Sequence, residues 1–573
     1  MNAQDLTGAL ADLTRLLPEV QFPLPIDDAP ELRASTVALA DQLRDYLLPR
    51  AERLDAPLLA VVGGSTGAGK STLVNSILGA ALTQPGVLRP TTRSPVLVCN
   101  PHDLDWFSSD HILPGMIRSR TRGIDSRALQ IVPFDGVTPG MALLDAPDID
   151  SVDDANRRLA RQLLQAADLW LFVTSAARYA DLVGWEVLGQ AIARNAVIGV
   201  VLNRCPPESM ADLKSHLSEM LTDRGLPRAR LFAVAENARL AEGMLPGAEV
   251  EPIRAWLRAL TEESRSRADV AVQTLAGSVG ALDATLRHMA HGAWRQVEAV
   301  DHLRDAARRE FRLAQSDIGR ATSDGTLLRG EVLARWQDFV GTGEFMRGVE
   351  QQISKWRDRI TGWFTGSDRA EGVQVAITDS LAAVVVEHAE AACQRTASDW
   401  RGTEWGRWLL QAGPALEQPS AGFRETAERM IRDWQAGVLR LVGDEGRGKR
   451  MKARFLALGT NAVGAALIIL TFATTGGLTT AEIGIAGGTS LLAQRLLEGV
   501  FGEDAVRRLA QRAKQDLDDR VEVLLAGELA RFEEVCDGLG VERATGGRLK
   551  QIADRLAAAA RRAFSDLTRP EGF

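Results

Sequence analysis

Residues Gly64-Ser65-Thr66-Gly67-Ala68-Gly69-Lys70-Ser71 follow directly on the apolar run Leu58 to Val62 and lead into Thr72-Leu73-Val74-Asn75-Ser76-Ile77-Leu78. The spacing G-x-x-x-x-G-K-S, set between a strand-like run and the amphipathic start of a helix, is that of a phosphate-binding loop. Glycines let backbone N–H groups wrap phosphate oxygens where a Cβ would intrude, and the following helix start adds a favourable dipole. A nucleoside triphosphate is therefore the first ligand expected, with Gly64, Ser65, Thr66, Gly67, Ala68, Gly69, Lys70, Ser71 and Thr72 as its binding residues. Lys70 is expected to neutralise the β- and γ-phosphates and Ser71 to place its hydroxyl on Mg²⁺.

At 573 residues the chain exceeds a single core, and about two to four domains are expected. Its net charge of −8 argues against a general nucleic-acid binder. Cys99, Cys205, Cys393 and Cys536 lack paired spacing, which points to neither disulfides nor a zinc site and suits a reducing cytoplasm. The start Met1-Asn2-Ala3-Gln4-Asp5 carries no secretory pattern.

Proline divides the chain. Eighteen of 22 prolines lie within residues 1–250, and none occurs from Arg254 to Gly413 or from Ser420 to Arg569. An interior proline costs a helix roughly 3 kcal/mol, so these Ala/Leu/Arg/Glu-rich tracts read as long helices. The first part instead alternates β-like and helical runs, the pattern of an α/β fold with a mostly parallel sheet flanked by helices. Its expected strands are Leu58–Val62, Val96–Cys99, Ala142–Asp145, Leu169–Val173, Val197–Asn203 and Leu231–Ala235. The division expected is a helical segment over 1–55 packing with later helices, a P-loop domain over 56–250, and an all-α region over 251–573.

Three further signals follow the loop. In Arg89-Pro90-Thr91-Thr92-Arg93-Ser94-Pro95, Thr92 is placed to reach Mg²⁺ and the γ-phosphate. In Leu143-Leu144-Asp145-Ala146-Pro147-Asp148, a strand delivers Asp145 to hold Mg²⁺ through water, while Asp148 stands where the usual Asp-x-x-Gly motif has glycine. In Asn203-Arg204-Cys205-Pro206, Asn203 matches the base-recognition motif Asn-Lys-x-Asp and the stem of Arg204 can lie along the base, while Pro206 replaces the guanine-reading aspartate. Guanine is expected over adenine.

These residues together resemble the dynamin family of large GTPases, specifically bacterial dynamin-like proteins, over about residues 56 to 240. The resemblance implies a GTPase domain followed by helical neck and trunk bundles, Mg²⁺-dependent GTP hydrolysis, and self-association through GTPase domains. It also implies catalytic positions at Lys70, Thr92 and Gly67, the last standing where the family usually has serine. Family members often carry a membrane-inserting trunk segment.

Such a segment is legible here. No charged residue occurs from Phe455 to Ala481, and Phe455 to Thr475 as a helix would cover ~30 Å. Arg447, Lys449, Arg450, Lys452 and Arg454 precede it as a basic cluster suited to anionic headgroups at the cytoplasmic face of the cell membrane. Phe455, Leu467, Ile468, Ile469, Leu470 and Phe472 are the expected inserting residues. A hairpin over 455–497 dipping into one leaflet is the leading reading, with a hairpin buried in the protein core and a single span as alternatives.

Three functions remain open on the sequence. The first is a dynamin-like GTPase coupling GTP turnover to membrane association or remodelling. The second is a nucleotide-gated tether or scaffold with little turnover, beside a second dynamin-like protein. The third is a P-loop ATPase.

Overall fold

The computed structural model describes residues 3–83, 94–120, 128–151, 153–236, 243–261, 264–323, 327, 331–340, 367–412, 415–445, 460–473, 493–494, 497–498 and 501–564. The chain forms two compact units. One comprises Met1–Phe22, Asp27–Arg295 and Glu542–Phe573, the other Pro23–Ile26 and Gln296–Val541.

The first unit begins with helices α1 (Ala3–Leu16), α2 (Ala29–Gln42) and α3 (Leu48–Glu52), the last two joined by a π-helical turn over Leu43–Leu47. There follow β1 (Leu58–Gly64), α4 (Lys70–Leu78), β2 (Val96–Cys99), α5 (Leu104–Ser108), β3 (Ile117–Ser119), β4 (Ala128–Pro133), β5 (Met141–Asp145) and α6 (Asp154–Gln165). Next come β6 (Leu169–Ser175), α7 (Leu182–Ala193), β7 (Val197–Cys205), α8 (Met210–Asp223), β8 (Arg230–Ala235) and α9 (Gly247–Ala259). The long helix α10 (Ser264–Ala321) starts in this unit.

The sheet has eight strands in the order β3-β4-β2-β5-β1-β6-β7-β8. All neighbours are parallel except β2 and β5. All six expected strands are present. β3, three residues long, and β4, six residues of mixed burial, lengthen the sheet beyond β2 and were not expected. The continuous apolar run of β1 follows from cover on both faces. Leu58, Ala60 and Val62 pack with Leu73, Val74 and Ile77 of α4 and Val250 and Ile253 of α9. Leu59 and Val61 pack on the other side with Leu163 and Leu164 of α6 and Trp185 and Leu188 of α7.

A third core lies in the same unit. Leu10, Leu13, Leu32 and Leu43 of the amino-terminal helices meet Leu286 and Met289 of α10 and Leu549 and Ile552 of the final helix, α17 below. Ion pairs step in sevens along α1 and the 3-10 turn Leu17–Glu19 that follows it: Asp5–Arg562 at 3.2 Å, Asp12–Arg555 at 2.6 Å and Glu19–Arg548 at 2.6 Å. The descending partner numbers mark two antiparallel helices in register. Exposed pairs of this kind are worth ~0–1 kcal/mol each, so the apolar seam holds the helices and the charges set their alignment.

These helices join the sheet through a buried polar junction. Arg50 of α3 pairs with Asp168 at 2.5 Å and donates to the carbonyl of Ala56 at 3.0 Å, while Leu59 N–H donates to Asp168 at 2.8 Å. Arg194, at the end of α7, donates to Ser278 of α10 at 3.0 Å and to the Leu164 carbonyl at 3.0 Å, and lies 5.0 Å from the Tyr46 ring centroid. Thr274 of α10 donates to the Asp168 carbonyl at 3.0 Å. Burial pushes the Asp168 carboxyl up and the Arg194 guanidinium down from their ordinary values.

The second unit is all α. After α10 come α11 (Glu331–Val340), α12 (Ser367–Arg401), α13 (Glu404–Ala412), α14 (Phe423–Glu445), α15 (Thr460–Ala473) and α16 (Glu503–Asp537); α17 (Ala544–Ala563) returns to the first unit. The long helices expected from the proline-free tracts are thus present. Two buried indoles tie them together, Trp400 donating to the Leu303 carbonyl at 3.1 Å and Trp434 to that of Ala513 at 2.9 Å.

Five of the residues expected to insert into a membrane are packed inside protein in this structure. Leu467, Ile468, Ile469, Leu470 and Phe472 are at most 2% exposed and belong to the helical unit's core. The Phe472 ring lies 5.7 Å from that of Trp434, and Gly464 admits the Leu439 side chain into space a Cβ would fill. Among the described residues no helix is long and apolar enough to cross a membrane. The physical reason is that α14 and α16 offer this helix protein apolar surface in place of lipid. Arg447, Lys449, Arg450, Lys452, Arg454 and Phe455 lie outside the described residues, as does most of 474–497, and no apolar hairpin is established.

Candidate functional site

The phosphate loop runs from the end of β1 into α4 at the middle of the sheet. Gly64 lies at φ +153°, and a Cβ there would fall 1.9 Å from the Val173 carbonyl oxygen of β6. Gly67 at φ +76° and Gly69 at φ +88° occupy the left-handed region that disfavours L side chains. Glycine at 67 therefore suits the local backbone. Lys70 is 5% exposed. Its ammonium donates to the carbonyls of Gly64 at 3.0 Å and Ser65 at 3.2 Å and pairs with Asp148.

β5 brings Asp145 beside the loop because Val62 and Asp145 are register partners. The Ser71 hydroxyl donates to Asp145 Oδ2 at 2.6 Å, and Oδ1 is buried with no hydrogen-bond partner among the described residues. Burial pushes the carboxyl up to about 6, against the Ser71 hydrogen bond and the charge of Lys70. A hydroxyl and a carboxylate with one orphaned oxygen form a hard donor set that fits a small divalent cation. No group of three His, Cys or acidic residues able to hold a metal occurs among the described residues, so these two side chains would supply only part of a cation's coordination, with phosphate and water oxygens suited to the rest. Thr92 lies outside the described residues.

Asn203, at the end of β7, is 4% exposed and donates to the Ala68 carbonyl at 2.8 Å. A Cβ on Gly69 would fall 2.7 Å from the same amide nitrogen. Arg204 follows at φ +55° with its N–H on Asn203 Oδ1 at 2.9 Å, at an irregularity in the β7–β8 pairing, and its side chain is exposed. A non-glycine residue held there is a local cost tolerated at a site. Replacing Asn203 with Ala removes the amide that ties the base-side strand to the phosphate loop. Nucleotide affinity is expected to fall about tenfold, for roughly 1–1.5 kcal/mol of lost hydrogen bonding; a fluorescent-nucleotide titration measures it.

Sequence reasoning missed two groupings. Asp150 accepts from the Thr66 N–H at 2.6 Å and hydroxyl at 2.7 Å, and Arg178, in the connection between β6 and α7, donates to it at 2.6 Å. Burial alone would raise this carboxyl, but the Thr66 hydrogen bonds and Arg178 outweigh it and hold it below the usual range. Asn75 of α4 accepts from the N–H groups of Leu82 and Thr83 and donates to the Thr83 carbonyl at 2.7 Å, anchoring the segment that leads toward Thr92. The only linear signal was a second aspartate two residues after Asp148.

A mixed sheet with the phosphate loop after its central strand, a strand-end aspartate beside that loop and an asparagine bridging to it defines a P-loop domain of G-protein type. Within that class the chain resembles the dynamin-like GTPases. It is 29% identical over 132 residues to a probable transmembrane GTPase, FZO-like, chloroplastic, of Arabidopsis thaliana, a match covering 23% of this chain and 13% of that protein's length. Among solved structures it is similar to a bacterial dynamin from an oligomerised pair (11% identity, 95% of this chain and 97% of that one, TM-score 0.39). It is also similar to the LeoA bacterial dynamin GTPase from ETEC (12% identity, 98% of each chain, TM-score 0.24). No family model matches the chain.

Proposed function

We propose that this protein is a dynamin-like GTPase that couples GTP binding and hydrolysis to membrane association. The observation that carries the reading is the convergence of Lys70, Ser71, Asp145 and Asn203 on one phosphate loop. In this reading the loop's N–H groups and the start of α4 bind the phosphates. Lys70 compensates their charge, and Ser71 and Asp145 hold Mg²⁺, with Thr92 as a further oxygen donor. The metal supplies charge compensation to the departing diphosphate when bound. Thr92 orients water for attack on the γ-phosphorus, the bond from that phosphorus to the bridging oxygen breaks, and GDP and phosphate leave. Positioning and charge stabilisation suffice for this chemistry without a side-chain base. Asn203 and Arg204 take the guanine side.

Membrane association is assigned to the basic segment Arg447–Arg454 acting on anionic lipid from the cytoplasmic side, with self-association through GTPase domains. A second reading, a nucleotide-gated tether with little turnover that works beside a second dynamin-like protein, is favoured by one observation: Asp148 occupies Lys70. Hydrolysis of GTP and co-sedimentation, measured on full-length protein with and without anionic vesicles, separate the two. Turnover that rises on vesicles with co-sedimentation supports the GTPase. Co-sedimentation that depends on bound GTP, without turnover, supports the tether, and hydrolysis of ATP in preference to GTP overturns both.

A further inference from the structure

We propose that Asp148 is a built-in stand-in for the terminal phosphate and sets the site's preference between nucleoside diphosphate and triphosphate. The inference rests on the nucleotide-binding reading above and adds a specificity-determining residue to it.

An ammonium has three donors. Those of Lys70 are directed to the Gly64 carbonyl, the Ser65 carbonyl and Asp148. Both side chains of the ion pair are nearly sealed from water, at 5% and 8% exposure. The backbone around Asp148 is held against the loop, with Ala146 N–H on the Val62 carbonyl at 3.1 Å and Ile149 N–H on the Gly64 carbonyl at 3.3 Å. The carboxylate is therefore delivered to Lys70 by the loop that leaves β5, tied on either side of Asp148 to the backbone of β1.

Lys70 belongs to the β/γ-phosphate end of the loop by the logic of the motif. A γ-phosphate can take the ammonium only by displacing its one anionic partner. The displaced carboxylate then faces a phosphate of like charge in a low-dielectric setting, or must leave the pocket. A diphosphate has no γ-phosphate to contend with Asp148: its β-phosphate, bound by loop N–H groups and the helix start, can draw on the ammonium in place of a neutral loop carbonyl while the ion pair stays. The penalty thus falls on the triphosphate.

The test uses the full chain with Mg²⁺ and measures dissociation constants for GDP and a non-hydrolysable GTP analogue by calorimetry. Wild type is compared with Asp148→Gly and Asp148→Asn, with thermal unfolding followed on each. Asp148→Asn keeps the shape and an acceptor for Lys70, so it gives the result if the glycine variant does not fold. The analogue is expected to bind on the order of tenfold or more tightly in the variants, a change of about 1.4 kcal/mol or more, while GDP affinity moves less than about threefold. Equal shifts for both nucleotides, no shift, or weaker analogue binding overturn the proposal while leaving the nucleotide site standing. A folded wild type that binds neither nucleotide overturns the site and this proposal together.

Discussion

Lys70→Ala is expected to lower nucleotide affinity by about a hundredfold or more. The side chain is the sole cation paired with an acidic group inside the phosphate loop among the described residues, and it is nearly buried, so no water replaces its charge on incoming phosphate. A charge-assisted contact in such a site is worth several-fold more than an exposed one. The substitution also strands Asp148, a buried carboxylate that loses its partner, and breaking a buried pair costs about 3–5 kcal/mol. Stability and binding therefore have to be read separately. Lys70→Ala combined with Asp148→Asn removes the stranded charge, so urea unfolding should recover much of the loss while nucleotide binding stays weak. Undiminished affinity in a folded Lys70→Ala protein would refute the phosphate role.

Asp168→Ala is expected to destabilise the first unit by about 3–5 kcal/mol, the largest effect predicted for a residue remote from the nucleotide site. Asp168 is fully buried, and its removal leaves Arg50, 3% exposed, without its counter-ion and the Leu59 N–H without an acceptor. Replacing both members, as Arg50→Met with Asp168→Leu, removes the charge mismatch, and the double variant should be more stable than either single one. Chemical denaturation of wild type, Arg50→Met, Asp168→Leu and the double variant measures the coupling directly. Additive losses would mean that the two residues act independently.

The phosphate loop was legible because its chemistry needs particular residue types at fixed spacing within one short segment. The same holds for the expected strands, five of which carry apolar runs that are largely buried while β8 is a partly exposed edge strand, and for the helices of the proline-free tracts. The partners of Asp148 and Asp150 were not legible. Asp148 meets Lys70 across 78 residues and Asp150 meets Arg178 across 28, and only the pairing of β1 with β5 and β6 brings those segments to one edge. β3 escaped notice because a three-residue, partly exposed edge strand carries little alternation, and the six-residue β4 beside it, of mixed burial, was missed with it.

The sequence by itself determined the P-loop class of this protein, six of the eight strands and the long helices, and the choice of Lys70, Ser71, Asp145 and Asn203 as the site's candidates. Tertiary structure alone decided that Asp148 sits on Lys70, that Asp168 locks α3 to the sheet, and that Leu467 to Phe472 lie inside the helical unit. The hydrophobic effect is non-directional. An apolar run states that it will leave water, and whether lipid or protein receives it depends on which surfaces the rest of the chain brings alongside.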